Sequence, residues 1–409
     1  MLTRRGMLST ATASVGAVAL GGRPFAQTAP VLRIGVLNDQ SGTYRDNGGP
    51  LSVACATLAV QEHAAALGLV VEVLAADHQG RPDVGLAIAR RWFDRENVDV
   101  IMDFQNSALA LAVANLAREK DKVAMAVNSG TTELTGAACT PNTVHWAYDT
   151  YLTTKTAGAA LVRAGGDSWF FITADYALGH SLQRDATRFV QQAGGRVLGA
   201  VTTPFPSTDF SSPLLAAQSS RAKVICLANG GTELVNCIKQ AAEFGVTRRG
   251  ARLATLLMQI NDVQAIGLEA AQGLVVCESF YWDLNDRTRS FAARIARASR
   301  GVMPNMSQAG CYAAALHYMR AAAALGAAQA KASGAATVAR MKAMPTEDDV
   351  FGTCRIREDG RVLHAAYLFE VKSPAESRQA WDCYKMLGSV PPEEAARPLS
   401  EGGCPLIRT

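Results

Sequence analysis

The chain has 409 residues, of which 49% are hydrophobic and 19% charged, with a formal net charge of +4. That length is more than one hydrophobic core usually holds, and a near-neutral balance without Lys/Arg runs excludes an electrostatic nucleic-acid binder. No apolar run reaches the roughly 20 strongly hydrophobic residues that a spanning helix needs.

Residues 1–26 read as a cleaved export signal of twin-arginine type. Arg4-Arg5 gives the cationic end, Met7 to Leu20 a weakly apolar run, and Ala26 a small residue at the cleavage point. The run is short and rich in Ser, Thr and Gly, so it is expected to be removed rather than to anchor. A retained amphipathic helix is the alternative, and it lacks a polar face. A lipid anchor would need a cysteine just after the run, whereas the first is Cys55. The mature chain is therefore expected to be soluble, with no stable membrane insertion. Without Arg4, Arg5 and Arg23 its formal charge falls from +4 to +1.

From Val31 short apolar runs alternate with segments of helical period. Strands are predicted at 31–37, 70–75, 98–102 and 123–127, and helices at 50–67, 84–95 and 107–119. Such βα alternation implies a parallel sheet covered by helices on both faces. After an irregular stretch at 131–149 the rhythm restarts. Helices at 151–164, 177–192, 210–219 and 232–244 interleave with strands at 168–173, 196–202, 224–227, 253–257 and 274–276. A switch follows at Phe280-Tyr281-Trp282-Asp283-Leu284-Asn285-Asp286. Beyond it the helices 287–300, 307–325 and 335–343 precede short strands at 351–356 and 365–371, which flank the turn Glu358-Asp359-Gly360-Arg361. The late helices are expected to complete the first unit and the late strands the second. Lobe 1 is then 27–148 plus 282–348 and lobe 2 is 149–281 plus 349–409, with three crossings that allow a hinge to bend.

The nine cysteines include no CxxC pair, and no Cys/His set has zinc spacing. Cys226, Cys277 and Cys311 lie in apolar segments and read as small buried hydrophobes. Cys139 and Cys404, both in Pro-containing loops, are the first candidates for a disulfide. The histidines, His63, His78, His145, His180, His317 and His364, are scattered, and neither a GxSxG elbow nor an HExxH helix is present. This weighs against a secreted hydrolase. No Walker loop is present, so the chain is not itself an ATPase. No cofactor and no metal is expected, and the chain is not expected to be an enzyme.

Val31-Leu32-Arg33-Ile34-Gly35-Val36-Leu37-Asn38-Asp39-Gln40-Ser41-Gly42, followed by Asp46-Asn47-Gly48-Gly49-Pro50, resembles the opening of the branched-chain amino acid type of periplasmic substrate-binding proteins of ABC importers. The likeness continues through Ser129-Gly130-Thr131-Thr132-Glu133-Leu134-Thr135, Thr173-Ala174-Asp175-Tyr176-Ala177-Leu178-Gly179 and Gln240-Ala241-Ala242-Glu243-Phe244-Gly245, and it takes in 280–286 and 351–371. The resemblance implies the type I fold, two Rossmann-like lobes joined by three crossovers with the ligand in the cleft. It also implies a membrane permease as partner, a periplasmic location and a monomer.

In parallel sheets ligands gather at the carboxyl ends of the strands. Asn106 and Ser107 open a helix after the strand 98–102, and Ser129, Gly130 and Thr131 follow 123–127. Hydroxyls and backbone N–H groups there suit a carboxylate, and the resemblance implies the same two loops. The plainer readings are an N-cap at Ser107 and a turn at Ser129-Gly130. Tyr151, Tyr176 and Asn229 are the second-lobe candidates, with Ser41 and Tyr44 on a cleft rim. Phe280 is a secondary pocket candidate beside Trp282, which is read as hinge packing. In amino-acid-binding relatives a carboxylate after the strand matching 253–257 pairs with the ligand ammonium. Here that loop reads Met258-Gln259-Ile260-Asn261-Asp262-Val263, with no acidic residue at the most natural equivalent; Asp262 is close but displaced, and Gln259 is the candidate ligand contact. The expected ligand is thus a small carboxylate without an essential α-amino group, an aromatic or other organic acid. A branched-chain amino acid or an amide is the alternative, as is a receptor that feeds a sensor.

Overall fold

The computed structural model describes residues 30–407, so the expected export signal at 1–26 lies outside the described residues. The first unit comprises β1 (Val31–Asn38), α1 (Gly49–His63), β2 (Val70–Asp77), α2 (Pro82–Asp94), β3 (Val100–Asp103), α3 (Ser107–Glu119), β4 (Val123–Ala126) and β5 (Thr143–His145). Its strands are all parallel, in the order β2-β1-β3-β4-β5. Every residue of β3 and β4 is buried, as expected of strands covered on both faces. β5 falls within the stretch expected to be irregular, because three residues are too few to show a period.

The second unit runs through α4 (Thr150–Arg163), β6 (Ser168–Ala174), α5 (Ala177–Gln192), β7 (Arg196–Thr203), α6 (Ser211–Ser219), β8 (Val224–Ala228), α7 (Gly231–Glu243), β9 (Arg252–Thr255), α8 (Ile260–Ile266), α9 (Leu268–Ala271) and β10 (Val275–Glu278). Its parallel sheet has the order β7-β6-β8-β9. The chain then returns to the first sheet with α10 (Asp286–Ala298), α11 (Met306–Leu325), α12 (Ala327–Ala332) and α13 (Gly334–Lys342). α11 is buried without a break from Met306 to Met319 and packs on α1 and α13. A run of alanines lets those helices approach closely, and Asn305 fixes the helix start by accepting from the N–H groups of Ser307 and Gln308 at 3.0 and 2.9 Å.

The remaining elements are β11 (Thr346–Asp348), β12 (Gly352–Ile356), β13 (Val362–Leu363), β14 (Ala366–Val371), β15 (Tyr384–Val390) and α14 (Pro392–Ala395). β11, β12 and β13 form a small antiparallel sheet against α11 and α13, whereas β14 and β15 join β10 in another beside α4. Where the chain passes from β5 to α4, Asp149 and Arg361 form an ion pair at 3.0 Å with both side chains 2% exposed. Burial pushes the Asp149 carboxyl up, but the facing Arg361 guanidinium, His145, the N–H of Leu152 and Arg397 together outweigh it and hold the group below its ordinary value. Arg361 also donates to the carbonyl of His145 at 3.1 Å, so this crossing is pinned to the edge of the first sheet.

The C-terminal tail spans both units. α14 packs on α4, and Glu401 pairs with Arg188 of α5. On the other side, Arg397 donates to the carbonyl of Thr132 at 2.9 Å, and Cys404 is disulfide-bonded to Cys139 with Cα atoms 5.6 Å apart. Cys226, Cys277 and Cys311 are buried. Because the bridge joins positions 265 residues apart, Cys404→Ser is expected to cost about 2–4 kcal/mol of stability through the longer free chain in the unfolded state. A fall of several degrees in Tm checks this; an unchanged Tm would mean that the ionic contacts of the tail suffice.

Candidate functional site

Each parallel sheet has one place where successive connections leave in opposite directions. In the first sheet it lies between β1 and β3, in the second between β6 and β8. Loops diverging from neighbouring carboxyl ends leave a crevice there. The first crevice is walled by 39–48 after β1 and 104–106 after β3; the second by Asp175-Tyr176 after β6 and Asn229-Gly230 after β8. The two crevices face each other. The hydroxyls of Tyr44 and Tyr176 are hydrogen-bonded across the gap, and Phe205 stacks on Tyr176 with ring centroids 4.2 Å apart and on Tyr44 at 6.0 Å.

The loop after β1 owes its shape to Asp39. That buried carboxylate accepts from the N–H groups of Gly42 at 2.7 Å, Tyr44 at 3.0 Å and Ser41 at 3.4 Å. Gln105 accepts from the N–H of Asp39 at 2.8 Å, which ties this loop to the one after β3. Thus shaped, the loop offers the carbonyl of Thr43 to the N–H of Thr232 in the first turn of α7, at 3.1 Å. An N–H without an intrahelical partner is satisfied by the opposite lobe. Gly231 permits the approach: its φ is +61°, and a Cβ there would stand 2.5 Å from the Thr43 oxygen.

Further contacts join the lobes around this centre. Asn47 donates to both oxygens of Asp262 at 3.2 and 3.1 Å, Thr131 and Ser181 share a hydrogen bond of 3.0 Å, and the N–H of Thr150 donates to the Gly130 carbonyl at 2.7 Å. Asp185 accepts from the hydroxyls of Thr150 at 2.5 Å and Thr132 at 3.4 Å.

The residues expected from the sequence divide by how their polar atoms are used. Ser107, Asn229 and Gln259 are buried and hold atoms with no partner among the described residues: the Ser107 hydroxyl, both amide atoms of Asn229, and Oε1 of Gln259. Gln259 donates its Nε2 to Ser307 at 3.2 Å. Tyr44 and Tyr176 meet at the centre. Asn106, not Ser107, is the N-cap of α3, accepting from the N–H groups of Ala108 and Leu109 at 3.0 and 3.1 Å. Ser129 donates its hydroxyl back to the Phe104 carbonyl, so its side chain is spent within the lobe. Gly130 and Thr131 contribute to the contacts just described. Ser41 is exposed and donates to Asp77 at 2.6 Å, on the rim. Two residues stand apart from the cluster. Tyr151 packs edge-on against Phe189, and Phe280 packs against Phe291 and Phe351, so these rings are occupied in local cores.

Sequence reasoning passed over Gln105, Phe205 and Glu233. Gln105 and Phe205 each follow a strand end, which is the available signal. Glu233 sits in a first helical turn, where an acid reads only as helix-end chemistry. Its carboxyl is fully buried and one oxygen, Oε2, has no partner among the described residues. Burial pushes Glu233 and Asp262 each up to about 7, and the buried Glu278, which accepts from Tyr384 at 2.7 Å, up to about 8.

These acids bind protons more readily folded than unfolded, so their contribution to stability is lost as pH rises through 7 and 8. The buried His145, pushed down to about 4 mainly by burial, acts oppositely only below its unfolded value near 6.5. Stability is therefore expected to be higher at pH 6.5 than at pH 8. A denaturant titration at the two values checks this, and equal midpoints would contradict the assigned burial of these acids.

A family model described as periplasmic binding protein matches residues 31–378. A solved periplasmic binding protein from Burkholderia mallei is 41% identical, with a TM-score of 0.88 over 92% of this chain and 99% of that one. A branched-chain amino acid ABC transporter periplasmic ligand-binding protein from Burkholderia xenovorans LB400 is 36% identical, with a TM-score of 0.80 and the same coverage. Among curated relatives, Leu/Ile/Val-binding protein homolog 6 of Brucella melitensis biotype 1 is 23% identical over 247 residues, 59% of this chain; the match spans 63% of that relative's length. The two-lobed α/β architecture with parallel sheets is the type I fold that these structures share.

Proposed function

This chain belongs to the periplasmic binding protein family, and on that premise we propose that it captures a small carboxylate-bearing ligand between its lobes and presents the closed form to the membrane permease of an ABC importer. It acts by binding, without catalysis, as an exported periplasmic monomer whose leader is 1–26. The carrying observation is that Ser107 and Asn229, buried on facing walls at the two strand-order reversals, hold polar atoms without a partner among the described residues. Buried polar groups normally find partners, and a ligand that supplies them stabilises the closed form by its differential affinity. On the first wall the Ser107 hydroxyl suits a carboxylate at the positive end of α3, whose N–H groups of Ala108 and Leu109 are capped by Asn106. The three crossings act as the hinge: after β5, after β10 and, in place of the expected boundary at 348/349, between β13 and β14, because β12 and β13 pair with β11 against the helices of the first unit.

An aromatic or other organic acid is favoured over an α-amino acid because of the loop after β9. Its one carboxylate, Asp262, is already engaged by the N–H of Gln259 at 2.8 Å, by Asn261 and, across the seam, by Asn47. That leaves no free carboxylate oxygen within this loop for an α-ammonium, and a charge enclosed without a partner costs several kcal/mol. The second reading, a branched-chain amino acid, is favoured by the 36% identical Burkholderia xenovorans relative and its transporter class.

Calorimetric titration of the mature chain separates the two. Benzoate is expected to bind and leucine to bind weakly or not at all; tight leucine binding with no heat from the acid would reverse the choice. Ser107→Ala is expected to weaken the bound acid by about tenfold, the loss of one hydrogen bond to a charged group. A change of less than about twofold would move the carboxylate away from α3.

A further inference from the structure

The second-lobe wall holds a buried acid with a free oxygen. Glu233 accepts from the N–H of Ser207 at 2.7 Å, while its Oε2 has no partner among the described residues. The loop it touches is anchored independently. Gln240, two turns further along α7, accepts from the N–H of Phe210 at 2.7 Å and donates to the Thr208 carbonyl at 2.8 Å. That loop carries Phe205, the ring stacked on both Tyr44 and Tyr176. Both tyrosines are pushed well above their ordinary value by burial and, in addition, by the nearby negative charge of Glu233. Among the described residues the second wall also holds the unpartnered amide atoms of Asn229 and Oε1 of Gln259, and the first wall holds the Ser107 hydroxyl and Nε2 of Gln105, together with Oδ1 of Asn38 and of Asp103 at the ends of β1 and β3.

We propose, building on the organic-acid reading above, that Glu233 is a specificity-determining residue whose free carboxyl oxygen accepts a hydrogen bond from a donor at the end of the ligand remote from its carboxylate. The cleft then selects ring acids with a distal hydroxyl over unsubstituted ones. With the ligand carboxylate at Ser107 on the first wall, Oε2 of Glu233 on the second wall is left to face the other end. An α-ammonium lies one carbon from its carboxylate and does not reach that end.

The probes are benzoate, 4-hydroxybenzoate and leucine, titrated calorimetrically at pH 8, where the Glu233 carboxyl, pushed up to about 7 by burial, is ionised. 4-Hydroxybenzoate is expected to bind at least about tenfold tighter than benzoate. Glu233→Gln keeps an acceptor for Ser207 and replaces the free oxygen by an amide donor. In that variant the preference is expected to fall below about twofold while benzoate affinity is retained. Gln240→Met loosens the same loop and leaves the carboxyl in place, so it is expected to keep the preference. Both acids binding equally to the unaltered protein, or the preference surviving Glu233→Gln, overturns the role of Glu233 and leaves the organic-acid reading standing. Loss of the preference in Gln240→Met assigns it to the loop and overturns the role as well. Binding of leucine with neither acid bound overturns both.

Discussion

One carboxylate organises the seam between the lobes. Asp39 gathers three backbone N–H groups of its own loop and is itself tied through its N–H to Gln105. A buried carboxylate is stable only when its lone pairs are filled, and a loop that fills them loses most of its freedom. That loop therefore places Thr43, Tyr44 and Asn47 as a rigid edge rather than a mobile flap. Thr43 then meets α7, Tyr44 meets Tyr176, and Asn47 meets Asp262. Were the turn to relax, all three contacts would be lost together.

The two walls of the cleft are built by one topological device used twice. A reversal of strand order opens a crevice in each sheet, and the crossing pinned by Arg361 and Asp149 joins the two units between β5 and α4. The buried ion pair costs desolvation that its attraction only partly offsets, so its value lies in fixing where the chain crosses. The contacts spanning the cleft are mostly single hydrogen bonds between short side chains and backbone. Such a seam separates at modest cost, which is what a protein that must open to its ligand requires.

Much of this was legible in the sequence. The βα rhythm from Val31 to Glu119 and from Ser168 to Glu243 marks the two sheets, since strands covered on both faces read as continuous apolar runs. Loops after strand ends pointed to Ser107, Tyr176 and Asn229. What was not legible was how polar atoms are spent. Ser129 and Asn106 look equivalent to Ser107 in the sequence, yet their side chains bond within their own lobe, which depends on φ/ψ and not on residue type. Phe280 and Tyr151 look like pocket aromatics and are core packing, because the partners that absorb them, Phe351 and Phe189, are distant in sequence or on a separate helix. Glu233 was hidden by its position in a helical first turn, where acids are common for another reason.

The central claim is that a small organic acid closes the two lobes upon one another at the facing crevices. Small-angle X-ray scattering of the mature chain, alone and with saturating benzoate, 4-hydroxybenzoate or leucine, tests it most directly. The account predicts a smaller radius of gyration with at least one of the two aromatic acids and none of that contraction with leucine. Unchanged scattering with both acids, or contraction with leucine alone, would contradict it.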